Sequence, residues 1–317
     1  MKTATKVSAF GLALAVVFVG AWAAGAVVGP LGDDPAEHAR AAPPPEHGHD
    51  AAPAGDPGHN DGHDHSHAAA DPAQLPGLSS AAGGYRLDLG RGTVTTGATE
   101  DLTFRVLGPG GAPVTAFDVE HEKRLHLVLV RRDGSGFQHL HPEMAADGTW
   151  RLPLTVPAAG SYRVFADFKP TGAAKTTLGA DIQAAGRFDP VTHSPVRTFT
   201  VDGFEVKLDG ELIAGKASTV TLTVTKDGVP VTDLQPHLGA YGHLVALRAT
   251  DLGYLHVHPI GEPGDGVTKA GPQIRFAVEV PTDDRYRVFL DFRHNDVVRT
   301  AEFTVDTQGG AHGEGGR

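Results

Sequence analysis

The stretch HLVLVRRDGSGFQHLHP, residues 126–142, recurs as HLVALRATDLGYLHVHP at residues 243–259. Three histidines and the closing proline coincide at one constant offset, without a gap. A second matching pair follows, SYRVFADF at residues 161–168 and RYRVFLDF at residues 285–292. The internal repeat, in a chain long enough for about two domains, predicts two homologous domains, which we place at residues 84–202 and 203–306.

Both copies consist of short runs of Val, Leu, Phe and Thr that are broken by Gly, Pro and Asp-Gly turns. About seven such runs per copy predict an all-β fold with two tandem immunoglobulin-like β-sandwich domains. Tyr162 and Tyr286 suit the tyrosine corner of that fold, with Val164 and Val288 where antibody domains place a cysteine. A closed barrel is the alternative within the all-β class.

Each repeat carries a His-x-His pair near the end of a predicted strand. Because alternate residues of a strand point to one face, His139 and His141 are expected to project together, and so are His256 and His258. A pair of neutral imidazoles on one face is a natural chelate for zinc or copper. The pair in each repeat therefore indicates a metal site.

The first histidine of each motif lies on the preceding strand. A two-residue hairpin loop at Gly134-Ser135 would place His139 opposite Val130 and bring His126 to the same face as the His-x-His pair. A three-residue loop would turn one strand over and separate the histidines, so the register decides the arrangement. His243 holds the equivalent position in the second repeat.

Two aspartates complete the expected sites, because each ends a strand that runs antiparallel to the strand of the first histidine. We expect two sets of metal ligands: His126, His139, His141 and Asp167 in the first repeat, and His243, His256, His258 and Asp291 in the second. The aspartates would bind the metal directly or orient a histidine. The alternative is structural: the histidines would be satisfied in turns, and the aspartates would cap turns or pair with Arg163 and Arg287.

The composition narrows the chemistry of these sites. The 317 residues include 18 histidines and no cysteine, which excludes disulfides, thiolate zinc sites and iron–sulfur clusters. Met144 is the only methionine after the first residue, so a thioether site for Cu(I) is disfavoured and Cu(II) or Zn(II) is expected. The net charge of −11 argues against nucleic acid as a partner. No HExxH, nucleophile elbow or phosphate loop is present, which disfavours an enzyme without excluding one.

The N-terminal segment predicts export. Residues 1–6 carry Lys2 and Lys6 and are expected to stay in the cytoplasm. Residues 7–29 are uncharged and long enough for a transmembrane helix, with a cleaved signal as the alternative. We therefore expect a single-pass protein of the cell membrane with its C-terminal domains on the extracytoplasmic side, or a secreted protein after cleavage.

Residues 30–83 form a predicted disordered linker that is rich in Pro, Ala, Gly, Asp and His. Its histidines suit loose capture of divalent metal, while the plain alternative is a solvated spacer. The expected loose ligands are His47, His49, His59, His63, His65 and His67. Residues 307–317 are expected to be a flexible tail.

The duplicated HL-x11-HxHP blocks with YRVFADF and YRVFLDF resemble a group of exported bacterial proteins. These proteins combine an anchor or signal, a His-rich linker and immunoglobulin-like domains, and are often described as heavy-metal-binding or copper-binding. The resemblance covers about residues 85–305 and implies an extracytoplasmic role in metal handling. We expect metal sequestration, or delivery to an envelope transporter or metalloenzyme. The alternative is an adhesion or assembly module with structural histidines, and an exported metalloenzyme is a third hypothesis.

Overall fold

The computed structural model describes residues 75–255 and 257–308. This part of the chain is built from strands and turns, and it contains no helix long and apolar enough to cross a membrane. The predicted anchor, the six linker histidines and His256 lie outside the described residues, as does the tail from residue 309.

The first repeat forms two antiparallel sheets that pack face to face. Its strands are β1 (Ala81–Ala82), β2 (Tyr85–Leu89), β3 (Thr93–Val94), β4 (Thr99–Leu107), β5 (Leu125–Arg131), β6 (Gln138–Leu140), β7 (Glu143–Met144), β8 (Thr149–Thr155), β9 (Gly160–Phe168) and β10 (Thr176–Ala184). The sheet orders are β1-β2-β4-β8-β7 and β3-β10-β9-β5-β6, and β3 joins the second sheet through a short parallel pairing.

The second repeat has the same two-sheet plan. Its strands are β11 (Thr198–Val201), β12 (Phe204–Asp209), β13 (Lys216–Lys226), β14 (Val229–Pro230), β15 (Gly242–Arg248), β16 (Tyr254–Leu255), β17 (His258–Pro259), β18 (Gln273–Val280), β19 (Arg285–His294) and β20 (Val297–Asp306). The sheet orders are β11-β12-β13-β18-β17, with β14 beside β13, and β16-β15-β19-β20.

The tyrosine corners expected for immunoglobulin-like sandwiches are present in both repeats. The Tyr162 hydroxyl donates to the carbonyl of Ala158 at 2.8 Å, and the Tyr286 hydroxyl donates to the carbonyl of Thr282 at 3.0 Å. Each sandwich encloses its own apolar core between its two sheets. The prediction of two tandem immunoglobulin-like sandwiches is confirmed, and the closed barrel is not the fold.

The folded unit extends beyond the segments that we assigned to the two repeats. Residues 75–83 were assigned to the linker, yet β1 pairs with β2 and Leu75 packs against the core of the second repeat. The strand β11 lies within the segment assigned to the first repeat, but it pairs with β12 of the second. Short apolar pieces such as Leu75 give too little pattern to be distinguished from a linker by composition.

A third apolar layer joins the two sandwiches. Every residue of β5 is buried, because its alternate side chains enter two different clusters. Leu127 and Leu129 enter the core of the first repeat, whereas Val128 and Val130 pack with β15 and β19 of the second. Since His126 shares the face of Val128, this layer places it at the contact between the repeats.

Candidate metal centre

Three histidines of the first repeat meet on one face of the sheet. The pairing of β5 with β6 sets Val128 opposite His139 and Leu127 opposite Leu140, and the ring of His141, just after β6, lies beside that of His126. The expected pairing of His139 with Val130 is therefore wrong by two residues. An even shift keeps each side chain on its face, so the three histidines still come together.

The hairpin loop explains the shifted register. The Arg131 amide donates to the carbonyl of Ser135 at 2.8 Å, and the Asp133 carboxylate accepts from the side chains of Arg131 and Ser135. This buried network makes the loop longer than the two residues that Gly134-Ser135 suggested. β6 consequently starts only at Gln138.

The ring nitrogens of the triad, His126, His139 and His141, are close to one another. Nδ1 of His126 lies 3.1 Å from Nε2 of His139 and 3.2 Å from Nε2 of His141. One nitrogen from each ring lies within 4.8 Å of the others, so the triad could hold a metal ion. His126 is buried and His141 is half-buried, and the side chain of His139 is only 7% exposed.

Hydrogen bonds on the far side of two rings determine where their protons lie. Nε2 of His126 lies 3.0 Å from the carbonyl oxygen of Glu120, which can only accept, so Nε2 carries the proton and Nδ1 keeps a lone pair. Nδ1 of His139 lies 2.8 Å from Oδ2 of Asp291, so this ring carries its proton on Nδ1 and keeps a lone pair on Nε2. The two lone pairs face each other.

The carboxylate that bonds to His139 comes from the other repeat. Asp291 was expected to join the histidines of its own copy, but its Oδ2 bonds to His139 and its Oδ1 accepts from Thr300 at 2.6 Å. The expectation failed because it treated each repeat as a separate site, whereas the repeats pack sheet against sheet. Asp291 contacts a triad histidine and orients it.

Asp167 is the equivalent aspartate of the first repeat. It pairs with His126 in the register of β5 and β9, as expected. Its Oδ1 accepts from Thr177 at 2.8 Å, and its Oδ2 forms an ion pair with Lys175 at 3.1 Å. Its role as a metal ligand stays a prediction.

The second copy of the motif is arranged differently. Nε2 of His243 lies 2.9 Å from the carbonyl of His237, which repeats the bond of His126 to the carbonyl six residues earlier. His258, however, is exposed and belongs to β17, which pairs with β18 of the opposite sheet. In the first repeat the chain crosses to the opposite sheet only after His141, where β7 pairs with β8. Within the described residues, the second motif therefore does not gather its histidines as the first does.

A family defined by a domain of unknown function, DUF8832, matches the chain twice, over residues 80–184 and 199–309. The chain belongs to the DUF8832 family. The double match confirms the duplication read from the sequence. No curated protein matches the chain.

Several solved structures are similar to this DUF8832 chain. The adhesin FdeC of Escherichia coli is 15% identical with a TM-score of 0.23, covering 71% of this chain and 64% of its own. Two fibronectin type III domains of chicken tenascin are 14% identical with a TM-score of 0.20, covering 70% of this chain and 97% of theirs. The D0–D1 domains of intimin are 12% identical with a TM-score of 0.20, covering 70% and 97%. The chain thus spans less than two thirds of FdeC, and these likenesses concern the fold alone.

Two further histidines, for which we predicted no role, belong to the same cluster. The ring of His121 lies 5.4 Å from that of His243, and the ring of His237 lies 6.5 Å from that of His141. Both residues precede the first histidine of a motif in the loop that leads into its strand. Their spacings of five and six residues differ, so the repeat alignment did not pair them; their shared position in the loop was the available signal.

Burial favours the neutral form of three rings in the cluster, those of His126, His141 and His243. Desolvation, together with the neighbouring ring of His139, lowers the pKa of His126 to about 3. Desolvation likewise lowers the pKa of His141 to about 2 and that of His243 to about 4. Neutral imidazole is the form that binds a metal ion.

The histidine cluster borders a small cleft between the repeats. Its volume is about 40 Å³, enough for an ion or a water molecule, and its lining includes His126, His139, His243, Asp167 and Lys175. A larger groove of about 430 Å³ lies elsewhere, beside Arg197 and Glu211, and no histidine lines it. Of these two cavities, the smaller one is therefore the one whose lining contains the histidines that could bind a cation.

Proposed function

We propose that this protein binds a divalent cation, Zn(II) or Cu(II), at His126, His139 and His141. The supporting observation is the pair of facing lone pairs on His126 Nδ1 and His139 Nε2, 3.1 Å apart. Two lone pairs at this distance repel each other unless a cation or a proton lies between them. The donor set, three neutral imidazoles, suits either metal.

The spacing of the nitrogens fits such an ion. Zinc–nitrogen bonds of about 2.0–2.1 Å at tetrahedral angles separate two ligating nitrogens by roughly 3.3 Å. The separations from His126 Nδ1 to the other two rings are 3.1 and 3.2 Å. These two separations need little rearrangement for ligation of one ion, and the third, between His139 and His141, lies within 4.8 Å.

A purely structural network is the second candidate, and it corresponds to an adhesion or assembly module of the cell envelope. Its support is that the bond between His139 and Asp291 joins two sandwiches that also share an apolar layer. A proton on Nε2 of His141 could satisfy the lone pair of His126. The same proton cannot also satisfy a neutral His139, so a network of neutral rings leaves one lone pair facing an acceptor, and we favour the cation.

The cellular role follows from the cation site together with the sequence. We propose that residues 7–29 anchor the chain in the membrane, that the histidines of the linker collect ions outside the cytoplasm, and that the triad holds them. An envelope transporter or metalloenzyme would receive the ion. Three protein ligands leave a coordination position that supports hydrolysis in other zinc proteins, so turnover assays test the less favoured enzyme hypothesis.

The test is a metal titration of the full-length protein. Replacing the linker histidines, including His38, by glutamine removes the loose ligands and provides the background. At pH 7 this protein should bind Zn(II) or Cu(II) stoichiometrically, and His139→Ala with His141→Ala should remove one equivalent. His294→Gln is the matched control, because this histidine pairs with Asp233 instead of the triad.

Each candidate function has its own outcome. Absence of stoichiometric binding in the background protein would contradict the cation site. If chelators also leave its thermal unfolding unchanged, the structural network accounts for the histidines. Loss of the equivalent in the double alanine variant, with the equivalent retained in His294→Gln, supports the cation site.

A further inference from the structure

We propose that Asp291 is a positioning residue for the cation site and that cation binding is therefore coupled to the docking of the two sandwiches. This inference rests on the proposed function. It adds that the three ligands of the first repeat need the second repeat in place. The contact that carries it is the bond from His139 Nδ1 to Asp291 Oδ2, 2.8 Å long, whose two side chains are each 7% exposed.

The carboxylate determines which nitrogen of His139 can bind the ion. With Asp291 in place, Nδ1 carries the proton and Nε2 presents its lone pair to the triad. Without that acceptor, the ring can hold its proton on either nitrogen and can rotate. A carboxylate behind a metal-binding histidine also raises the basicity of the ring, and its loss typically costs 10–100-fold in metal affinity.

Contacts within the second repeat hold Asp291 in place. Its Oδ1 accepts from Thr300, and its backbone pairs with His243 of β15. Both partners belong to the second repeat. The aspartate therefore moves with the second sandwich, whereas the three ligands move with the first.

Docking of the two sandwiches rests on a separate set of contacts. Phe137 stacks on Phe289 with ring centres 4.0 Å apart, in a layer that also contains Leu247. The Arg287 side chain donates to the carbonyl of Gly134 at 3.1 Å. If docking brings Asp291 to His139, an ion that binds better to the docked state must stabilise docking by the same factor.

Asp291→Asn tests the positioning role in the full-length background without linker histidines. An asparagine that keeps the bond from Thr300 presents its amide hydrogens to His139 and favours the tautomer with the proton on Nε2, which cannot ligate. We expect Zn(II) affinity to fall about 10–100-fold and Asp291→Glu to recover part of the loss. Asp233→Asn, which removes the same charge from a histidine partner elsewhere in this repeat, should leave the affinity unchanged.

Leu247→Ala tests the coupling, because it loosens the layer between the repeats without touching the triad or Asp291. We expect weaker Zn(II) binding, with a factor in the usual range of about 5–150-fold for coupled sites. Saturating Zn(II) should in turn restore the hydrogen-exchange protection of β5 and β15 amides. A variant with lowered protection and unchanged Zn(II) affinity would overturn the coupling.

The failure of this inference is distinguishable from the failure of the proposed function. If the background protein binds no Zn(II), the cation site itself is wrong. If it binds one equivalent that depends on His139 and His141, and Asp291→Asn binds as tightly as the parent, the positioning role alone is wrong. If Asp291→Glu loses as much Zn(II) affinity as Asp291→Asn, the loss would point to general damage at the interface. That result would also count against the positioning role.

Discussion

At the scale of single residues, the acceptor behind each ring determines what the ring can do. His126 and His243 both direct Nε2 to the carbonyl six residues earlier, so each keeps its lone pair on Nδ1. The two repeats thus share the same constraint on the first histidine of the motif. They diverge at the last histidine of the motif, because His258 pairs with the opposite sheet whereas His141 lies beside His126.

The lowered pKa values of the buried histidines lead to a prediction of how the stability of the metal-free protein depends on pH. The folded pKa of His243 is about 4 and that of His126 about 3, while the unfolded chain takes up protons near 6.5. Between pH 6.5 and about 4 the unfolded state therefore binds more protons. The free energy of unfolding should fall as the pH is lowered, by up to about 1.4 kcal/mol per pH unit for each histidine.

Urea unfolding of chelator-treated protein between pH 7.5 and 4.5 measures this slope. His243→Gln should reduce the slope by one histidine's contribution, because glutamine does not titrate. A free energy of unfolding that stays constant from pH 6.5 to 4.5 would contradict the prediction.

At the scale of elements, the sequence predicted the strands and faces better than the pairing between them. The exact repeat of His-x-His-Pro and the alternating apolar runs were sufficient for the sandwiches and for the common face of the triad. The hairpin was predicted but the length of its loop was not, because that length depends on the buried bonds of Asp133 with Arg131 and Ser135. Such tertiary bonds leave no periodic pattern in a sequence.

The partner of His139 could not be predicted for a similar reason. Antiparallel pairing correctly placed Asp291 opposite His243. Its side chain nevertheless bonds to the other repeat, because the two sandwiches pack against each other through β5, β15 and β19. The sequence of one repeat carries no information about how the other docks on it.

The loop network leads to a prediction for the stability of the hairpin. The side chains of Arg131 and Asp133 are 5% and 7% exposed, and Asp133 also accepts from the amide of Val191. Asp133→Ala leaves the arginine buried without its counter-ion, which typically costs about 3–5 kcal/mol. We expect a loss of this size in the free energy of unfolding, measured in urea.

The matched control for Asp133→Ala is Asp147→Ala. This aspartate also pairs with an arginine, but the pair is exposed, and such pairs contribute about 0–1 kcal/mol. Similar losses in the two variants would show that the loop network does not hold the hairpin.

At the scale of the whole molecule, the described chain is two sandwiches that share a third apolar layer. Val128, Val130 and Phe165 of the first repeat pack with Val245, Leu247 and Phe289 of the second. Burial of such a layer stabilises the docked arrangement as well as each domain. The histidine cluster lies at the edge of this layer. The contact between the two sandwiches therefore borders the proposed cation site.

The shared layer predicts that the two repeats unfold together, and Phe289→Ala tests this. Phe289 is fully buried and stacks on Phe137 across the layer, and truncating a buried Phe typically costs about 3–5 kcal/mol. Because this cost falls on the contact between the sandwiches, calorimetry should show one transition for the parent and two for the variant.

Phe104→Ala, in the core of the first repeat alone, should lower stability by a similar amount while the layer between the repeats stays intact. Two transitions in the parent protein would contradict cooperative unfolding, and a single transition in Phe289→Ala would show that other contacts, such as that of Arg287 with Gly134, suffice to couple the repeats.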